Sequence, residues 1–336
     1  MTSVNLIARD NGFGLSRDVH LLADVLREGG FEVHVSTLRR GKLRKWLRPA
    51  RLRARLLWQR SHGDDSHGRF DVNLLLEHVR PEDLPFARWN LLIPNPEWCL
   101  PRDVGLLPRI DGVLVKTAHA EEIFCALGCR TARIGFTSTD RLDTTVPRER
   151  AFFHLAGRSG NKGTERALAL WRKHPEWPRL TVVQNPRAAK ASAPSGNIVH
   201  RVDYIDDAEL RRMQNANLFH LCCSETEGFG HYIVEAMSVG AVVLTTNAPP
   251  MNELVMPERG VLVAYGRLGR QHLATTYQVD DGALERAVER ALAMDDARIE
   301  AMGAQARAWF AYNDAGFAAR LHQGLRVMLA SQPSRE

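Results

Sequence analysis

Short runs of consecutive apolar residues alternate along the chain with stretches whose apolar positions recur every three or four residues. The first forty residues set the pattern. Val4 to Ala8 is an apolar run, and Val19, Leu22, Ala23 and Leu26 then fall on one helical face with Ser16 as N-cap. Gly29-Gly30 stops that helix before a strand over Phe31 to Thr37, so the segment predicts a strand-helix-strand unit. Further runs at Val72 to Leu76, Asn90 to Ile93 and Gly112 to Val115 are continuous rather than alternating, as in a parallel sheet covered on both faces.

The pattern then restarts. Phe152 to Ala156 predicts a strand, Gly157 to Gly163 a loop, and Thr164 to Trp171 a helix. A strand over Leu180 to Val183, a helix capped by Asp206 and reaching Asn215, and a strand over Leu218 to Cys222 follow. Next come a helix from His231 to Val239 closed by Gly240 and a strand over Ala241 to Thr245. Helical spacing returns over Gly282 to Met294 and Arg298 to Phe310, then at Phe317, Leu321, Leu325 and Leu329. The expected division is an N-terminal Rossmann-like domain over 1–147, a C-terminal one over 148–312, and a terminal helix in 313–336, with its return to the N-terminal domain as one reading.

Composition narrows the class. A length of 336 residues suits two domains, and 44% hydrophobic with 25% charged residues excludes collagen-like, coiled-coil and disordered chains. No apolar run approaches the roughly 18 residues of a membrane span, and the first residues hold neither a basic leader nor a long hydrophobic stretch. Five cysteines without a C-x-x-C pair indicate a reducing compartment, and the expected location is cytoplasmic. Net charge is +6, yet Arg39 to Arg60 alone holds ten Lys or Arg and no acid, leaving the remainder at −4. Leu43, Trp46, Leu47, Ala50, Ala54, Leu57 and Trp58 recur there at helical spacing. An amphipathic basic helix on an anionic inner-membrane surface is one reading, nucleic acid or another polyanion is its rival, and a solvated loop is the plain alternative.

The densest chemistry lies in Ser224-Glu225-Thr226-Glu227-Gly228-Phe229-Gly230-His231-Tyr232-Ile233-Val234-Glu235-Ala236-Met237-Ser238-Val239-Gly240. Glycines in a loop between a strand and a helix admit an anion to the backbone, and the helix start offers it N–H groups. Carboxylates in the loop (Glu227) and in the helix (Glu235) then suit hydroxyl groups beside that anion. This stretch resembles the E-x7-E signature of the retaining GT-B glycosyltransferases, family 4 in particular, with their pattern S-x-x-E-G-F-G-x-x-x-x-E-A-M-x-x-G. Gly157-Arg158, followed by Lys162-Gly163, resembles the same family's G-R-x-x-x-K-G, and Gly12-Phe13-Gly14 resembles its first-strand glycine loop.

The resemblance implies two Rossmann-like doubly wound domains facing across a cleft, and a retaining, metal-independent hexosyltransferase-type enzyme. It would move a sugar from a nucleotide-diphosphate donor to an acceptor hydroxyl, with no cofactor besides the donor substrate. Arg158 and Lys162 would neutralise the diphosphate and Glu227 would contact the donor sugar, making these three the catalytic candidates. Gly12, Gly14, Gly228, Phe229, Gly230, His231, Tyr232 and Glu235 would bind the donor, with Glu235 on the ribose. The chain departs from the pattern where relatives carry Leu-Pro and it has His231-Tyr232. It departs again where many place a histidine after the fourth N-domain strand and it has Pro94-Asn95-Pro96-Glu97-Trp98. Asn95, Glu97 and Lys116 are the acceptor candidates. A lipid-linked or lipopolysaccharide/polysaccharide acceptor would use the basic block; the alternatives are a glycosyltransferase of modified nucleic-acid bases and a catalytically silent GT-B binding protein. His78 reads as a hydrogen-bonded residue, and Cys222 and Cys223 as core.

Overall fold

The computed structural model describes residues 1–9, 14–38, 54, 70–190 and 195–330. Gly12, and all of the basic block Arg39 to Arg60 except Ala54, lie outside the described residues. The chain forms two compact units: the described residues within 1–135 and 316–330, and those within 136–315.

The first unit is a parallel six-stranded sheet of β1 (Ser3–Arg9), β2 (Glu32–Leu38), β3 (Phe70–Leu76), β4 (Ala87–Ile93), β5 (Gly112–Val115) and β6 (Thr131–Arg133). Its spatial order is β2-β1-β3-β4-β5-β6. Helix α1 (Gly14–Glu28) packs Val19, Leu22, Ala23 and Leu26 inward, as their spacing requires. It begins at Gly14, so Ser16 lies inside the helix rather than at its cap. Two further helices, α2 (Pro101–Val104) and α3 (Ala118–Ala126), belong to this unit. The sheet interior carries a polar rung. Ser36 donates to Asn5, Asn5 to Asn73 and Asn73 to Asn90, at 2.8, 2.9 and 2.9 Å, linking β2, β1, β3 and β4.

The second unit holds β7 (Glu149–Gly157), β8 (Leu180–Gln184), β9 (Ile198–Arg201), β10 (Asn217–Cys222), β11 (Val242–Thr246) and β12 (Gly260–Val263). They are parallel, in the order β12-β11-β10-β7-β8-β9. Its helices are α4 (Thr164–Lys173), α5 (Asp207–Ala216), α6 (His231–Ser238), α7 (Met251–Leu254) and α8 (Asp281–Leu292). Asp206 caps α5 by accepting from the Glu209 N–H at 2.8 Å, as expected. The core centres on Phe152, Phe219 and Trp171: Phe152 stacks on Phe219 at 4.8 Å and meets Trp171 edge-on at 4.9 Å. Each such aromatic contributes about 2–3 kcal/mol on burial.

The structure departs from the sequence expectation in several places. The segments over 298–310 and 317–329 are one continuous helix, α9 (Asp296–Leu329), whose residues to Ala315 belong to the second unit and from Gly316 to the first. An antiparallel hairpin, β13 (Tyr265–Gln271) with β14 (Ala274–Val279), lies between β12 and α8. The units divide at Gly135 and Phe136, ahead of the division expected at 147–148. Residues 136–143 are tied to the second unit by Thr137 on Asp314 (2.7 Å), Asn313 on the Phe136 carbonyl (2.8 Å) and Arg307 on both Asp140 oxygens.

Candidate functional site

In the second sheet the chain runs outward through β7, β8 and β9, then returns to place β10 on the other side of β7. The carboxyl ends of β7 and β10 flank that reversal, which is where an open α/β sheet forms its ligand crevice. The loops leaving these two strands are the segments that contain Arg158 to Gly163 and Cys223 to Gly230.

They approach very closely. Gly163 has φ +71° and its absent Cβ would stand 2.8 Å from the Cys223 carbonyl oxygen, so glycine is required for both conformation and space. The Glu225 N–H donates to the Asn161 carbonyl at 2.8 Å, which joins the loops through the backbone. Gly230 has φ +103° at the N-cap of α6, and no side chain caps that helix. Its first N–H groups are of the kind that anions satisfy.

Four side chains converge here. The Lys162 ammonium donates to Glu227 Oε1 at 2.5 Å and stands 3.5 Å from the centroid of the Tyr232 ring. The Ser224 hydroxyl bonds the same Glu227 oxygen and lies 2.5 Å from the Tyr232 hydroxyl. Burial pushes the Tyr232 hydroxyl well above its ordinary pKa, so it stays neutral and able to donate. Lys162, Glu227 and Tyr232 are expected at the site from the motifs; Ser224 opens the second motif, but its part in aligning Glu227 is visible only in the structure. Arg158 lies in the loop leaving β7 with an exposed side chain.

His231 opens α6. Its Nδ1 is 2.7 Å from the Ser138 hydroxyl, and its ring meets Phe136 and Phe229 edge-on at 5.7 and 5.3 Å. Phe229 is itself buried, and Gly228 sits beside it in the loop. Glu235, only 2% exposed, accepts from Gln214 Nε2 at 2.9 Å. Gln214 in turn accepts from Arg141 Nε at 2.8 Å, and Arg141 grips both Asp207 oxygens at 2.8 and 2.9 Å. This relay, buried from Glu235 to Arg141 and ending on the exposed Asp207, fixes the second carboxylate of the motif. Arg141 belongs to none of the motifs read from the sequence, so nothing in its sequence context announces it.

The remaining expected residues belong to the first unit. Gly14 is the first residue of α1. Asn95 Nδ2 lies 3.3 Å from Glu77 Oε1, and Glu97 is buried in the turn after β4. Lys116, expected as an acceptor residue, is instead internal: its ammonium meets Asp18 at 2.7 Å, both side chains at least 95% buried. His78 Nδ1 pairs with Asp103 at 2.9 Å; burial would raise the Asp103 carboxyl, but this bond and the Leu100 N–H hold it below its ordinary pKa. Cys222 and Cys223 are buried at the end of β10, and burial pushes the Cys223 thiol up to about 12.

Residues 187–309 match the family model described as "Glycosyl transferases group 1", which spans the Glu227–Glu235 segment but not Lys162. No curated protein matches the chain in sequence. Among solved structures, sucrose-phosphate synthase from Thermosynechococcus elongatus is similar at a TM-score of 0.72 and 17% identity, covering 98% of this chain and 100% of that one. The E. coli structure described as trehalose-6-phosphate bound with UDP-2-fluoro glucose is similar at 0.69 and 12%, covering 99% and 100%. HepE of Anabaena, in complex with UDP and glucose, is similar at 0.66 and 15%, covering 98% and 100%. The fold is GT-B, with two Rossmann-like α/β units, as the sequence resemblance implied.

Proposed function

We propose that this GT-B chain is a glycosyltransferase that moves a sugar from a nucleoside-diphosphate donor to an acceptor hydroxyl. The observation that carries the reading is the meeting of Lys162, from the loop after β7, with Glu227 and Tyr232 beside the start of α6. A cation and main-chain donors at one strand-switch crevice suit a diphosphate. An ammonium has three N–H donors, so the contact to Glu227 leaves two for phosphate oxygens. The matched family segment and the UDP named with two of the similar structures support the same class of donor.

In this reading Lys162 and Arg158 stabilise negative charge as the glycosidic bond breaks, taking the part a divalent ion plays elsewhere. Glu227 holds sugar hydroxyls and is aligned by Ser224; Glu235 takes the ribose, held in place by Gln214 and Arg141. The departing phosphate accepts the acceptor's proton on the same face of the sugar, which retains the anomeric configuration. Asn95 and Glu97 serve the acceptor, and a lipid-linked or polysaccharide acceptor is assigned to the basic block Arg39 to Arg60.

The test is turnover of a nucleotide-sugar by the parent protein and by Arg158→Ala, Lys162→Ala and Glu227→Ala, with circular dichroism to confirm folding. An enzyme loses nucleotide release in all three while staying folded; a silent binding protein shows no turnover in any. NMR of the product reports the anomer, and inversion would overturn the same-face step.

A further inference from the structure

The hairpin β13–β14 has no counterpart in any motif of the sequence, and its position raises the question of what it is for. A two-stranded hairpin is marginal in water without something to pack on. Here β13 is exposed along almost its whole length, with Leu268 65% exposed. The antiparallel register closes with Gln271 opposite Ala274, so only His272 and Leu273 form the turn. The hairpin's polar anchors end on the two loops that build the crevice. The Tyr277 N–H donates to the Glu225 carbonyl at 2.7 Å, and Gln278 Nε2 lies 3.4 Å from the Glu225 carboxylate. At the turn, Asn161 Nδ2 donates to Gln271 Oε1 at 2.6 Å.

Asn161 immediately precedes Lys162, and Glu225 lies two residues before Glu227. The Glu225 N–H already bonds the Asn161 carbonyl. Hairpin, first loop and second loop therefore form a closed ring of contacts: Gln271 to Asn161, Asn161 to Glu225, and Glu225 back to Tyr277 and Gln278.

We propose that the hairpin is a positioning clamp for the diphosphate site, with Gln271 and Gln278 fixing the backbone on which Lys162 and Glu227 stand. The inference rests on the reading that these loops hold a diphosphate. Its physical basis is that a loop cation binds an anion strongly only when it does not have to be ordered on binding. Gln271 and Gln278 contact the side chains of Asn161 and Glu225 in these loops, so they act through those two residues.

Inorganic pyrophosphate is the probe, titrated calorimetrically into the full chain and into Gln271→Ala, Gln278→Ala, Asn161→Ala, Lys162→Ala and the Gln271→Ala/Asn161→Ala double variant. Unliganded melting temperature is recorded for each. The clamp predicts that Gln271→Ala and Gln278→Ala each weaken pyrophosphate binding about fivefold while melting near the parent temperature. The double variant should be no weaker than Asn161→Ala alone, because both changes break one contact. If both glutamine variants bind within twofold of the parent while Lys162→Ala loses binding, the clamp is wrong and the diphosphate site stands. If Lys162→Ala also binds like the parent, the site itself is wrong and the clamp falls with it.

Discussion

Lys162 and Glu227 are partners in the structure itself, since each side chain is only 15% exposed and the two form an ion pair at 2.5 Å. A partly buried pair of this kind is sensitive to losing one member. Lys162→Ala is expected to lower kcat about 100-fold or more, the usual cost of removing a donor from developing negative charge. Steady-state nucleotide release measures it, with Glu227→Gln as the companion that keeps size and removes charge. Gly163 makes a separate demand, because its left-handed backbone and its approach to the Cys223 carbonyl both exclude a side chain. Gly163→Ala should cost about 1–3 kcal/mol, read as a lower urea midpoint at unchanged slope. That Lys162, Glu227 and Tyr232 belong to one candidate site was legible from residue type and spacing: glycine, lysine and glutamate at a strand-helix edge. The pairing of Lys116 with Asp18 was not legible, because the two lie almost a hundred positions apart and meet only in the interior. Arg141 was missed because its partners, Gln214 and Asp207, come from another part of the chain.

Apolar runs located most of the strands and Asp206 located the start of α5, since those signals are local. The terminal helix reads as two stretches because the apolar spacing stops at Phe310 and resumes at Phe317, whereas α9 runs through; it also holds Gly303, Gly316 and Gly324, although glycine ordinarily weakens a helix by about 1 kcal/mol relative to alanine. The structure gives reasons that only tertiary packing supplies. A Cβ on Gly303 would stand 2.4 Å from the Gly240 carbonyl, and one on Gly324 would stand 2.6 Å from Ile134. Gly303→Ala should therefore destabilise by about 1–3 kcal/mol despite alanine's better helix propensity, as chemical denaturation would show. The hairpin escaped notice because β13 is polar and exposed, leaving no buried face to pattern it. In the first sheet, Asn73 links Asn5 to Asn90 and also donates to the Asp83 carbonyl at 2.8 Å. Asn73→Ala strands polar groups in the interior and should cost about 2–3 kcal/mol in the same assay.

For the molecule as a whole, two buried histidines of the second sheet set a pH limit. His154 sits between the Leu221 carbonyl and the Thr164 hydroxyl, and burial lowers its pKa to about 4. His220 contacts the Gln214 carbonyl, and burial lowers it to about 3. Both stay neutral in the folded chain at pH values where the unfolded chain, with histidine near 6.5, takes up protons. Their contribution to stability is therefore complete above about pH 6.5. It is lost progressively as pH falls toward 4 and 3, each histidine withdrawing about 1.4 kcal/mol for every pH step between its unfolded and folded pKa. Melting temperature across that range should drop, and less so in His220→Gln. Among the described residues no helix is long and apolar enough to cross a membrane. The most direct measurement is calorimetric titration of UDP, GDP, ADP and dTDP into the parent and into Lys162→Ala. One of the four should bind the parent and bind Lys162→Ala at least tenfold more weakly. Binding of none, or equal binding to both proteins, would mean that the loops after β7 and β10 do not form a nucleoside-diphosphate site.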